Sequence, residues 1–156
     1  MQLMVIEYAR NVIGLKGANS TEFDPETPYP VIDLMESQKK ILKLGGTMRL
    51  GAQDMRVVKG TRLYEIYGGR EIVRERHRHR YEVNEEKFPQ LFANDVKESD
   101  DKLVISARSE FVEAVELKDH PFFIGVQFHP EFKSKVGQPH PIFIELVKVA
   151  EGGKKR

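Results

Sequence analysis

An apolar run that leads into Phe-His-Pro-Glu-Phe is the feature that most constrains the fold of this chain. Residues 122–126 have the length and composition of a buried strand, and His129 and Glu131 follow closely. Pro130 fixes φ at about −65° and predicts a turn where the strand ends. Positions i and i+2 of a strand share a face. The sequence therefore predicts an imidazole and a carboxylate side by side at the rim of a sheet.

These two side chains suit proton transfer. An imidazole, with a reference pKa of about 6.5, can take a proton from a nucleophile and return it to a leaving group. A carboxylate bonded to the far ring nitrogen fixes the tautomer and favours the imidazolium. Such a pair needs a nucleophile, and the sequence contains no cysteine. From this segment alone, a strand end with an ordinary surface histidine and glutamate remains the alternative interpretation.

Periodicity and turn residues divide the rest of the chain into helices and strands. Helical structure is predicted for residues 3–13 with Gly14 as C-cap, for a turn at 61–67, for 85–94, and from Pro141 to about Gly152. Extended structure is predicted at 31–34, 47–58, 71–83, 103–107, 111–117 and 122–128, and a loop at 15–30. The mixture indicates one α/β unit.

Composition excludes several classes of protein. With 156 residues, 40% hydrophobic and 31% charged, the chain suits one globular domain. A formal charge of +1 gives no overall attraction to nucleic acid or to an anionic membrane. Neither a membrane-spanning apolar run nor a signal-peptide pattern is visible. We therefore expect a cytoplasmic protein.

The segment 70–80 is rich in arginine and histidine. Strand alternation would separate its members onto two faces, Arg74, Arg76, Arg78 and Arg80 on one and His77 and His79 on the other. The basic face is interpreted either as a solvated surface or as a nucleic-acid patch. The histidine face lacks a second ligand cluster at a recognisable spacing, so we expect no metal.

Longer blocks of sequence resemble one enzyme family. Residues 115–123 and 125–134 resemble the end of a class I (triad) glutamine amidotransferase domain. Residues 19–23, 45–51 and 75–84 are similar to the amidotransferase domain of the CTP synthases in particular. The resemblance extends from Met1 to about Ala150. It implies a flavodoxin-like three-layer sandwich without its N-terminal strands, with residues 1–156 forming the C-terminal portion of the domain.

The resemblance also implies roles for single residues. His129 and Glu131 would be two members of the catalytic triad, and the nucleophilic cysteine would lie just upstream of Met1. Glutamine would be bound by Gln2, Glu22, Arg80 and Tyr81. Gly46 and Arg49, in the glycine-rich segment 45–51, would belong to a lid connected with activation by GTP. That segment lacks the Lys-Ser/Thr ending of a phosphate-binding loop, and a tight turn into a strand is the alternative.

The function implied is glutamine hydrolysis that supplies ammonia for the ATP-dependent amination of UTP to CTP. ATP, Mg and the activator GTP are expected for the complete enzyme, and no cofactor in this chain. The expected partners are the upstream half of the domain, the synthetase domain and further copies of the enzyme, without nucleic acid or membrane. A non-catalytic glutamine-binding or regulatory fragment is the alternative. A nucleic-acid module built on the arginine strand is a third hypothesis.

Overall fold

Two β-sheets, described by a computed structural model over residues 1–35, 49–97, 99 and 101–152, form the framework of the chain. The strands are β1 (Ala18–Ser20), β2 (Tyr29–Asp33), β3 (Arg49–Val57), β4 (Ile72–His79), β5 (Glu82–Val83), β6 (Val104–Arg108), β7 (Val112–Glu116) and β8 (Ile124–Val126). The helices are α1 (Gln2–Asn11), α2 (Arg62–Ile66) and α3 (Pro141–Gly152), with 3₁₀ turns at Pro89–Leu91 and Pro130–Lys133.

The larger sheet is antiparallel, in the order β4-β3-β6-β7-β8. Its longest ladder joins β3 to β4, from the pair Arg49 and His79 to the pair Arg56 and Ile72. The smaller sheet has the order β1-β2-β5, in which β1 and β2 are parallel and β2 and β5 antiparallel. Because β4 belongs to one sheet and β5 to the other, the two residues between them cross from sheet to sheet.

Helix α1 covers the smaller sheet with its apolar face. Val5, Ile6, Tyr8 and Ala9 are buried there and pack against residues of β1, β2 and β7. The helix ends at Asn11 with Val12 as its C-cap, and the chain leaves the helix axis at Gly14, which adopts φ of +80°, a conformation that glycine reaches without a Cβ clash. The predicted helix is thus confirmed, but its C-cap is Val12 and not Gly14, because the hydrogen bond from the Val12 N–H to the carbonyl of Tyr8 is the last helical one.

Two of the predicted segments require correction. Residues 85–94 form turns and the 3₁₀ helix Pro89–Leu91, because Pro89 lacks an N–H and Phe88 before it has non-helical angles of φ −127° and ψ 52°. The predicted loop 15–30 contains strand β1, which gains its regular structure from long-range parallel pairing with β2. The helix starting at Pro141 and the turn at α2 are confirmed. The first residues of the segment 47–58, Thr47 and Met48, lie outside the described residues.

Strand β4 has the predicted alternation. Val73, Glu75 and His77 are buried, and the arginines between them are exposed. Each inward-facing polar side chain has a partner across the sheet or on a neighbouring element. His77 Nε2 lies 2.8 Å from Glu113 Oε2 on β7, with both side chains fully buried. The hydroxyl of Ser109 donates to the other oxygen of Glu113.

Two further buried glutamates connect the sheet to the helices. Glu116 at the end of β7 accepts hydrogen bonds from the backbone N–H groups of Arg62 and Leu63, at 2.8 and 3.2 Å. These donors would otherwise be unsatisfied at the start of α2. Glu75 Oε1 accepts from the Tyr67 hydroxyl at 3.0 Å and from Lys133 Nζ at 3.0 Å, and lies 3.2 Å from His140 Nε2. The buried carboxylates thereby hold α2 and the start of α3 against the sheet.

Removing one member of the pair His77–Glu113 should destabilise the protein strongly. We expect the Glu113→Leu variant to lose about 3 kcal/mol of unfolding free energy, since it leaves His77 without its buried partner. The double variant His77→Leu with Glu113→Leu should lose less than the sum of the single changes. Chemical denaturation measures these differences. Glu110→Leu, at an exposed position of the same hairpin, is the control and should change stability by less than about 0.5 kcal/mol. Additive losses would contradict a direct coupling.

Glu75 should make the stability pH-dependent. Desolvation by burial raises the pKa of this carboxyl group, but hydrogen bonds from His140 and Lys133 and their charges outweigh it, so the net pKa lies below 4.5. A carboxyl group whose pKa is lower in the folded protein than in the unfolded chain stabilises the fold at any pH above its unfolded-state pKa. This stabilisation is lost as the pH falls through the folded-state pKa. The stability difference between the wild type and Glu75→Gln should therefore narrow as the pH falls below 4.5. Thermal melts across that range would measure it, and a constant difference would argue against it.

Candidate active site

A cleft of about 710 Å³ opens where the start of α1, the end of β4 and the end of β8 meet. Its walls include Met1, Gln2, Leu3, Glu22, Arg78, His79, Arg80, Tyr81, Val126, Gln127, Phe128 and His129. Among these are all four residues predicted to bind glutamine, and His129. Residues separated by more than one hundred positions in the sequence therefore share one cavity.

Local structure fixes the position of His129. Phe128 beside it is buried among the side chains of the larger sheet and packs its ring 6.1 Å from the ring of His77. The backbone N–H of His129 donates to the carbonyl of Arg76 on β4 at 2.9 Å. With its neighbour held inward and its backbone held by β4, His129 presents a half-exposed side chain to the cleft.

The side chains of His129 and Glu131 lie side by side as predicted, but the backbone that brings them together is not the predicted strand. The distance from His129 Nδ1 to Glu131 Oε1 is 2.7 Å. Strand β8 ends at Val126, and Glu131 lies in the 3₁₀ helix Pro130–Lys133, so a tight turn rather than strand alternation brings the two side chains together. When Nδ1 donates to the carboxylate, Nε2 keeps the lone pair and can act as a base.

The electrostatics of Glu131 favour its charged form. Slight desolvation raises the pKa of this carboxyl group, but a hydrogen bond from its own backbone N–H, the hydrogen bond from His129 and the charge of that ring together lower the net pKa. A carboxylate ionised at neutral pH can orient the imidazole and stabilise its protonated form.

The turn that carries Arg80 and Tyr81 is held by two amide side chains. Gln2 Nε2 and Gln127 Nε2 each donate to the carbonyl of Tyr81 at 2.9 Å. Arg80 is exposed at the cleft, and within the described parts of the chain no carboxylate forms an ion pair with it. A guanidinium in this position can bind a carboxylate through two parallel hydrogen bonds.

Glu22 reaches the same cleft from the turn that follows β1. Its backbone N–H donates to Ser20 Oγ at 3.2 Å, and the neighbouring Thr21 donates to Asp33 Oδ1 at 2.7 Å. These contacts tie the turn to β2. The cleft walls therefore include two cations, Arg78 and Arg80, an exposed anion, Glu22, and His129, and this set of groups suits a zwitterionic ligand.

Sequence reasoning missed Gln127 and Glu82, and it considered His79 only as a possible metal ligand. Gln127 is buried and binds Tyr81, and His79 lies on the wall of the cleft beside its partner Glu82. The signal available for Gln127 was its place as a polar residue at the end of an apolar run, two positions before the His-Pro-Glu motif. Of the two lid residues, Gly46 lies outside the described residues, as does the side chain of Arg49, which begins β3.

The basic strand is partly neutralised by neighbouring acids. Arg74 pairs with Asp54 at 3.0 Å, and the guanidinium of Arg76 lies 5.9 Å from the ring centre of Phe132. The adjacent Arg56 pairs with Glu71 at 3.6 Å. Arg76, Arg78 and Arg80 are exposed as well, so neighbouring acids neutralise only part of this basic segment.

The described residues give two further observations. In these parts of the chain, no group of three or more His, Cys, Asp or Glu side chains has an arrangement that could hold a metal ion. Over the same ranges, every helix is too short or too polar to cross a membrane.

Comparison with known proteins gives a consistent result. Residues 1–149 match the family of class I glutamine amidotransferases. CTP synthases of Thermotoga maritima and Thermosipho africanus are 71% and 70% identical to this chain over 154 residues, or 99% of it. The solved glutaminase domain of the Trypanosoma brucei CTP synthase, with bound acivicin, superposes with a TM-score of 0.83 at 41% identity, over 97% of this chain and 57% of that one. The chain spans 29% of the length of the two bacterial relatives.

The exposed pair His129–Glu131 should contribute little to stability. The side chains are 37% and 54% exposed, and surface ion pairs are worth at most about 1 kcal/mol. We therefore expect Glu131→Ala to change the unfolding free energy by less than about 0.5 kcal/mol, unlike the loss of buried Glu113. Denaturant titration would test this, and a loss of several kcal/mol would show that the pair is structural.

Proposed function

Because this chain belongs to the class I glutamine amidotransferase family, we propose that it supplies His129 and Glu131 as two members of a catalytic triad. The observation that carries the proposal is the shared cleft, whose walls include His129, the partner of Glu131, together with Gln2, Glu22, Arg80 and Tyr81. These are the groups needed to bind an amino acid and to move protons at its side chain.

Charge complementarity supports glutamine as the ligand. Arg80 would clamp the α-carboxylate through paired hydrogen bonds. Glu22, which lines the same cleft, would bind the α-ammonium group. With both charged ends of the amino acid held there, its side-chain amide can extend toward His129. Gln2 and Gln127 keep the Arg80–Tyr81 turn in place through the carbonyl of Tyr81.

The chemistry follows from the pair. A cysteine thiolate from a part of the protein outside these 156 residues attacks the side-chain amide carbon of glutamine. The C–N bond breaks as His129 donates a proton to the departing nitrogen, which leaves as ammonia. His129 then removes a proton from water as the water oxygen adds to the thioester carbon. The C–S bond breaks, which releases glutamate and one proton and restores the cysteine thiolate and the protonated His129. Glu131 holds the Nδ1 proton and stabilises the imidazolium.

The similarity to CTP synthases supports a specific use of the ammonia. In the complete enzyme it would aminate UTP to CTP, with ATP, Mg and the activator GTP bound outside the described cleft, and a lid at Gly46 and Arg49 would close the site. A homo-oligomer and a cytoplasmic location are part of the same proposal. A non-catalytic glutamine-binding or regulatory fragment is the second candidate, favoured by the lack of cysteine in the sequence.

The test uses the complete enzyme that contains this chain. His129→Gln should lower glutamine-dependent CTP formation by about 10²-fold or more, since it removes the general acid–base, and should leave ammonia-dependent CTP formation unchanged. His120→Gln is the matched control, because this histidine is exposed and bonds only the nearby N–H of Phe122 among its described neighbours.

Each outcome separates the candidates. Equal loss of glutamine- and ammonia-dependent activity would contradict a role of His129 in glutamine hydrolysis. Glutamine binding by the wild type in calorimetry, without any hydrolysis, would favour the non-catalytic fragment.

A further inference from the structure

A second His–carboxylate pair, which is buried, encloses the turn that carries Arg80 and Tyr81. His79 is the last residue of β4 and Glu82 the first of β5, and His79 Nε2 lies 2.8 Å from Glu82 Oε1. The two side chains are 8% and 0% exposed. Among the described residues, the buried Nδ1 of His79 has no hydrogen-bond partner, so the ring is held through Nε2.

The pair connects to the rest of the cleft through Gln127. Glu82 Oε2 accepts from Gln127 Nε2 at 3.3 Å, and the same amide group donates to the carbonyl of Tyr81. Gln127 stands two positions before His129. The bonded series His79, Glu82, Gln127 therefore joins the turn that presents Arg80 to the segment that presents His129.

Backbone pairing does not hold this turn by itself. β4 belongs to the five-stranded sheet and β5 to the three-stranded sheet, so residues 80–81 continue neither ladder. Side-chain bonds to the carbonyl of Tyr81 and the bridge from His79 to Glu82 take the place of ladder bonds. A buried ion pair often adds no net stability compared with an apolar pair, so its placement here favours a role in geometry.

We propose that His79 and Glu82 are positioning residues that set the direction of Arg80 for the carboxylate end of the substrate. The inference rests on the proposed glutaminase function and adds two residues to it. Neither residue is assigned a contact with the substrate. Their effect is exerted through Arg80, so it should appear in the binding of substrates that carry an α-carboxylate.

The test compares two substrates of the complete enzyme, L-glutamine and its α-amide, in which a neutral amide replaces the α-carboxylate. Glu82→Gln and His79→Leu should each raise KM for glutamine about tenfold, as expected for the loss of one charge-assisted hydrogen bond, with kcat changed less than about threefold. KM for the α-amide should stay close to the wild-type value. His79→Gln keeps an N–H donor toward Glu82 and should raise KM for glutamine less than His79→Leu does.

Two further variants complete the design. Adding His79→Leu to Arg80→Ala should raise KM little beyond Arg80→Ala alone, because both act on one interaction. Glu85→Gln is the matched control: it makes the same change as Glu82→Gln three positions further on, at a carboxylate that pairs with Arg108 away from the cleft wall, and should leave KM for both substrates unchanged.

Several results would overturn the inference. These are an equal KM rise for both substrates, a loss confined to kcat, or additive effects of His79→Leu and Arg80→Ala. Loss of ammonia-dependent activity would show that the variants of His79 and Glu82 fail to fold. In that case Gln127→Met tests the same connection. An equal KM change for glutamine and its α-amide in this variant would then refute the inference. A wild type with no glutamine hydrolysis but normal ammonia-dependent activity overturns the proposed function, and this inference with it.

Discussion

The burial of carboxylates inside the larger sheet is the constraint on which the rest of the structure depends. Glu75, Glu113 and Glu116 point into the core from β4 and β7, and a buried charge without a partner would cost several kcal/mol. Histidines and helix N–H groups supply the partners. A one-residue shift in the register of β4 would bury its arginines in place of Glu75 and His77. The buried pairs therefore fix the register of β4 and the position of Arg80, which follows it.

Similar chemical pairs serve different purposes according to their exposure. His77–Glu113 is fully buried and binds two strands of the sheet together. His129–Glu131 lies half in solvent at the rim of a cleft, where an ion pair adds little stability and the imidazole can exchange protons. Burial, and not the presence of a histidine beside a glutamate, therefore distinguishes the structural pair from the candidate catalytic one.

Local patterns predicted much of this arrangement from the sequence. The alternation of β4, the first helix and the turn at Pro130 all follow from residues a few positions apart. The segment 85–94 was wrong as a helix because Pro89 removes a donor within it. The bond from Gln127 to Tyr81 joins residues 46 positions apart, and no periodicity reveals such a contact. The cleft is assembled from long-range contacts of this kind, so the sequence indicated its members only through family resemblance.

The hydrogen bond from the backbone of His129 to the carbonyl of Arg76 has a geometric consequence. Arg80 follows four positions later, in the turn directly after β4, so the group that would hold one end of the ligand and the group that would act on its other end are both connected to this strand. The number of residues between Arg76 and Arg80 therefore sets the distance between the two groups. An insertion or deletion between these two points would alter the spacing between anchor and base while leaving each group chemically intact.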